Sequence, residues 1–153
     1  RNELTVRLVS DDTFNAKGFM GNYSLNCGGR VVTNDSGDFV YRRSTSERDC
    51  IWSIVSEDPS KHVTLTFTYM SLFSTADFEI CIADISVYEG DVDNIGARKS
   101  KFCGGKAPAS IVSNGNALTI KLNSSSFPAY AEFDVHYSVM DNGETSFSSK
   151  KIN

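Results

Sequence analysis

The chain is expected to fold as an all-β sandwich, and three observations carry that expectation. Apolar residues recur at every second position, above all at Val63, Leu65, Phe67 and Tyr69, with Thr64, Thr66 and Thr68 between them. That is the period of strands with one buried face. No segment sustains a helical period, and turn-forming clusters at Asn34–Gly37 and Asn114–Gly115 separate the short runs, as in two-sheet folds.

Taken in order, Leu4, Val6 and Leu8 alternate with Thr5 and Arg7, a polar stretch covers Ser10 to Gly18, and Phe19 to Tyr23 can pair back as a second strand. Val31 and Val32 form a short strand after Cys27-Gly28-Gly29. Asn34 to Gly37 supplies the side-chain-to-backbone bonds and positive φ of a turn. Phe39 to Asp49 reads as polar, with Tyr41, Arg42, Arg43 and Arg48 in one loop. Cys50, Trp52 and Ile54 alternate with Ile51 and Ser53 and imply a buried indole. Val63, Leu65, Phe67 and Tyr69 are expected on one face of the next strand. Phe78, Ile80 and Ile82 begin a run that Ile85 to Tyr88 continue, before Glu89-Gly90 turns the chain and Asp91 to Lys101 reads as polar loop. Ala109 to Val112 is a short run after Pro108, and Asn114-Gly115 is a strong tight-turn signal.

The segment that follows has already occurred once. Asn116, Leu118, Thr119, Ile120, Leu122, Ser124, Phe133 and Tyr137 match Asn2, Leu4, Thr5, Val6, Leu8, Ser10, Phe19 and Tyr23 at a constant offset of 114 positions. A single offset that preserves identities and loop length marks an internal repeat. Residues 1–23 therefore read as the closing hairpin of a preceding unit, 24–138 as one complete unit, and 139–153 as a tail or the start of a degenerate following unit. Only Ser24, Leu25 and Asn26 separate the first two, so the units are expected to pack closely.

The net charge of −4 lacks the basic excess with which nucleic-acid binders neutralise phosphate. No run of 18 apolar residues spans a membrane. Arg1 to Leu25 lacks the apolar centre of a signal peptide, so an export signal is expected upstream. Cys27, Cys50, Cys81 and Cys103 lack the Cys-x-x-Cys spacing of zinc sites. Their even number in a strand-rich acidic chain points to two disulfides and an oxidising compartment, with free buried cysteines as the alternative; three connectivities are open. Each closed loop of this size stabilises by about 3 kcal/mol on the chain-entropy model. Sequons at Asn22, Asn34 and Asn123 agree with a secreted glycoprotein.

No catalytic constellation is present. His62 and His136 are the only histidines, and neither belongs to a His-Glu-x-x-His, Gly-x-Ser-x-Gly or phosphate-loop pattern. His136 lies between Val135 and Tyr137, where a cross-strand partner is expected rather than a catalytic base. Arg42, Arg43 and Arg48, with Tyr41, are the candidate contacts for an acidic partner, a solvated charged face being the alternative; the Arg42-Arg43 pair is also a possible proteolytic site.

The complete unit resembles a CUB domain, an extracellular jelly-roll-like antiparallel β-sandwich. The resemblance rests on Cys27-Gly28-Gly29, Ser36-Gly37-x-Phe39, Cys50-x-Trp52-x-Ile54, Leu65-x-Phe67, Val87-Tyr88-Glu89-Gly90, Phe102-Cys103-Gly104, Pro108, and the hairpin ending at Phe133 and Tyr137. It implies disulfides Cys27–Cys50 and Cys81–Cys103. It also implies calcium in many members, held by hard oxygen ligands, at positions occupied here by Phe73, Ala83 and Ser125. No cofactor is therefore expected in the complete unit, with Asp77, Glu79 and Asp84 as solvated strand ends. The preceding unit keeps Ser10-Asp11, so calcium is possible there with Asp11 as a ligand. The layout is similar to that of cubilin-type endocytic receptors, implying an extracellular protein ligand or neighbouring CUB domains as partners. Tolloid- or complement-type protease exosites and auxiliary proteins of synaptic receptors share such tandem units.

Overall fold

The computed structural model describes residues 27–42, 49–73, 81–124 and 131–141. The repeated hairpin at 1–23 and the segment 142–153 lie outside the described residues, as do Phe78 and Ile80.

The described residues form β1 (Gly29–Thr33), β2 (Gly37–Arg42), β3 (Asp49–Ser56), β4 (His62–Leu72), β5 (Ala83–Glu89), β6 (Arg98–Phe102), β7 (Ile111–Val112), β8 (Ala117–Ser124) and β9 (Ala131–Met140). One sheet has the order β1-β3-β8-β5-β6 and the other β2-β9-β4-β7. All pairings are antiparallel except β1 with β3. These two run parallel because the chain crosses to the other sheet for β2 and returns beside β1; the remaining pairings make the antiparallel sandwich expected.

The core lies between the sheets, where alternate residues of both meet. Trp52 is fully buried at its centre, with Tyr41, Phe133 and Phe39 at centroid distances of 5.2, 5.4 and 5.9 Å. Such aromatic pairs add roughly 0.5–1.5 kcal/mol each beyond the area they bury. Cys27–Cys50 and Cys81–Cys103 are the disulfides. The first ties the start of the unit to β3, and the second ties the segments flanking β5 and β6.

Three expected features differ. The polar loop read from Phe39 onwards is strand β2 as far as Arg42; its short alternation of Phe39 and Tyr41 merges in sequence with the arginines behind it. Arg98–Phe102 is a strand rather than loop. As an edge strand it packs only Phe102 against the core, and so carries almost no apolar period. Tyr69 does not share the face of Val63, Leu65 and Phe67. A register shift between Phe67 and Tyr69 turns Tyr69 outward, 44% exposed, and returns Met70 and Leu72 to the core.

Two glycines are set by close approach. At Gly37, opposite Tyr137 on β9, a Cβ would overlap the tyrosine hydroxyl. At Gly28, φ is +96° and a Cβ would stand 2.5 Å from the Ile51 carbonyl oxygen. These approaches supply physical reasons for glycine in Ser36-Gly37-x-Phe39 and Cys27-Gly28-Gly29.

Candidate functional site

The outer face of the four-stranded sheet carries the one arginine of the expected cluster that the structure describes. Arg42 ends the edge strand β2, opposite Glu132 on β9. Its Nη1 donates to Asp134 Oδ1 at 2.5 Å and to the carbonyls of Tyr41 and Phe133 at 2.9 and 3.3 Å. Its Nε lies 3.8 Å from Glu132 Oε2, and the guanidinium stands 5.4 Å from the Tyr69 ring centroid. The hydrogen bond to Asp134 is the main cause of its raised pKa. Arg42 is thus neutralised within its own sheet. The outward turn of Tyr69 completes this contact, and no period in the sequence announced it.

Further along the same strands, Asp38 and His136 are register partners, with Oδ1 to Nδ1 at 2.7 Å. His136 has the cross-strand partner expected of it. Between these pairs Val40 is 43% exposed opposite Asp134. The face is a row of paired charges with Val40 and Tyr69 among them.

Tyr41, expected among the surface contacts, is instead 1% exposed and part of the aromatic core. Its position on β2 alternates with the outward Val40 and Arg42, so it faces the other sheet. Arg43 and Arg48 lie outside the described residues, as do Asn22 and Asp11. Asn34 is exposed in the turn after β1, where its Oδ1 accepts from Ser56 Oγ and the Asp58 amide at 2.9 and 3.2 Å, while its Nδ2 donates to Glu57 Oε2 at 3.3 Å. Asn123 is exposed near the end of β8, between Asp49 and Asp84 in register.

The calcium positions do not fit a metal. Phe73 and Ala83 offer no side-chain oxygen, Ala83 is fully buried, and Ser125 lies outside the described residues. Among the described residues no group of three or more His, Cys, Asp or Glu side chains could hold a metal ion. Asp84, expected as a solvated strand end, is 8% exposed and lies 3.3 Å from the Lys101 ammonium. Lying within β5, it is covered by its neighbours. Asp77 and Glu79 are outside the described residues.

Two other carboxylates order the opposite end of the sandwich. Glu89 Oε1 accepts from the amides of Asn114 and Gly115 at 2.7 and 2.9 Å, and Oε2 lies 3.0 Å from Lys99 Nζ. Burial opposes its ionisation, but the Gly115 amide, Lys99 and the Asn114 amide outweigh it and hold the carboxyl below its ordinary value. Asp91 binds Arg30 at 2.7 Å. The Val92 amide donates to Ser53 Oγ, and Thr119 Oγ1 donates to the Gly90 carbonyl, so this loop lies on the outer face of the five-stranded sheet. Glu89 stood within a motif quoted from the sequence; its clamp on the Asn114 turn needed the fold.

The family profile described as CUB domain matches residues 27–137. The chain belongs to the CUB domain family. It is 31% identical to rat (Rattus norvegicus) cubilin over 143 residues, covering 90% of this chain and 4% of cubilin. It is 27% identical to human tolloid-like protein 1 over 157 residues, covering 97% of this chain and 15% of that protein. A crystal structure of the MASP-1 CUB2 domain bound to Ca2+ superposes with TM-score 0.54 at 21% identity, over 73% of this chain and 99% of that one. Among the described residues no helix is long and apolar enough to cross a membrane.

Proposed function

We propose that this CUB chain is a non-catalytic, extracellular protein-binding and scaffold segment of a multi-CUB receptor of the cubilin kind, acting in ligand capture and endocytosis. The observation that carries the reading is the placement of the unit's two ends. Cys27 is joined to Cys50 near the start of β3, beside the ends of β2, β4 and β8. Asp141 follows β9 at the opposite end, 3.5 Å from Lys61. Ten residues of β9 separate the ends by about 30 Å. A unit entered at one end and left at the other can be joined in line with neighbours, and its lateral sheet faces then remain open to ligand. In this reading residues 1–23 close a preceding CUB unit, and 139–153 lead out of this one. The identity to cubilin across most of the chain supports the same layout.

The complete unit works without calcium in this proposal, because Phe73 and Ala83 stand where oxygen ligands would be needed. Any calcium in the array belongs to units such as the preceding one, where Asp11 keeps the pattern. Asn22, Asn34 and Asn123 are proposed glycan sites. The likeness to tolloid-like protein 1 favours a second reading, in which the segment positions substrate for a protease domain elsewhere on the polypeptide. The test is to determine the parent polypeptide on both sides and delete residues 27–137 from it. Further CUB units without a protease domain, and reduced ligand uptake by cells bearing the deletion, support the receptor. A protease domain, with substrate cleavage reduced by the deletion, replaces it with the exosite.

A further inference from the structure

We propose that the outer surface of β6, together with Lys121 of β8, binds a sulfated glycosaminoglycan. Arg98, Lys99, Ser100 and Lys101 run along the edge of the five-stranded sheet. Two adjacent basic residues, a spacer and a third form a short basic run of the kind found in heparin-binding patches. In a regular strand Arg98 and Lys101, three positions apart, would face opposite ways. A register shift between Val87 and Tyr88 cancels that: Arg98 stands opposite Tyr88, and Lys101 opposite Ser86. Ser86 and Tyr88 share the outer face of β5. Lys121, the register partner of Ser86 on β8, is on this face too, with its ammonium 5.1 Å from the Tyr88 ring centroid. Arg98, Lys101 and Lys121 are thereby gathered on neighbouring rows, about 7 Å apart along the strands and about 5 Å per strand across.

The charges are only partly answered within the chain. Lys99 turns to Glu89, and Lys101 lies against Asp84. Arg98 and Lys121 have no carboxylate partner among the described residues. The cluster thus holds a local positive surplus on a chain whose net charge is −4. A protein partner would be expected to find an apolar centre here. The patch instead presents a half-buried Tyr88 ringed by cations, which suits an extended polyanion lying across the sheet edge. The choice of polysaccharide over nucleic acid rests on the extracellular reading above.

The experiment compares retention of the whole chain on immobilised heparin with retention on a sulfonate resin of matched charge density, at neutral pH and physiological ionic strength. It is run on the natural chain and on Asn123→Gln, because a glycan on Asn123 would stand one row from Lys121. Retention of either chain on heparin beyond that on sulfonate is expected. Arg98→Ser/Lys121→Ser, which leaves both ion pairs intact, should bind heparin roughly tenfold more weakly than its parent with unchanged melting temperature. Lys121→Gln alone should lose less, in the same direction, and Arg42→Ser should match its parent. The proposal is overturned if neither parent binds, if the two resins retain them equally, or if the double variant binds as its parent does. Displacement by polyglutamate as readily as by heparin would overturn it in favour of an acidic polypeptide.

Discussion

Replacing Gly37 with alanine tests the packing between β2 and β9 most directly. The added Cβ would overlap the Tyr137 hydroxyl and stand 2.6 Å from Cζ and 3.1 Å from Cε1. Tyr137 is 5% exposed within the core, so its ring moves only if its neighbours move too. Overpacking of this kind costs about 1–3 kcal/mol, and the lower entropy of the unfolded alanine chain offsets roughly 0.4–1 kcal/mol. A net loss of about 1–2 kcal/mol is expected, lowering the melting temperature by roughly 4–8 °C for a unit of this size. Urea unfolding followed by fluorescence gives the loss, since Trp52 is the only tryptophan and is fully buried. In the double variant Gly37→Ala/Tyr137→Leu the clash is gone, so the two losses should fall short of additivity by at least about 1 kcal/mol. Additive losses, or a Gly37→Ala chain as stable as the parent, would refute the account of this contact.

Three further outcomes are expected. Glu89→Gln should cost about 1–2 kcal/mol at neutral pH. Because the folded-state pKa of Glu89 is depressed, its contribution is fully present above the unfolded-state value of about 4.3 and fades as pH falls through the lower folded value. Urea midpoints of parent and variant should therefore converge in acid; a gap that persists there would count against the clamp. Tyr41→Ala should destabilise by about 3–5 kcal/mol, whereas Arg42→Ala should cost less than about 1 kcal/mol, as thermal melts of the two would show. Melting temperatures in calcium and in EDTA should coincide, and a rise that grows with calcium concentration would mean that the folded chain binds the ion.

The sequence by itself determined the two-sheet class, the buried indole and the family. Alternation reports burial directly where one face of a strand is apolar, as at Cys50, Trp52 and Ile54. The four cysteines, Gly37 and Phe39 kept a spacing specific enough to show the family resemblance. It also marked Phe73 and Ala83 as unable to ligate calcium, since ligation needs an oxygen that those side chains lack. What it left undecided was which face several residues occupy. Tyr41 reads as a surface residue beside its arginines until β2 is seen to alternate, and Tyr69 reads as core until a register shift turns it outward. Arg98 and Lys101 likewise come together only through a shift against β5. Only the tertiary structure decides such cases, because one extra residue in a ladder reverses every side chain beyond it, and that residue is fixed by the partner strand.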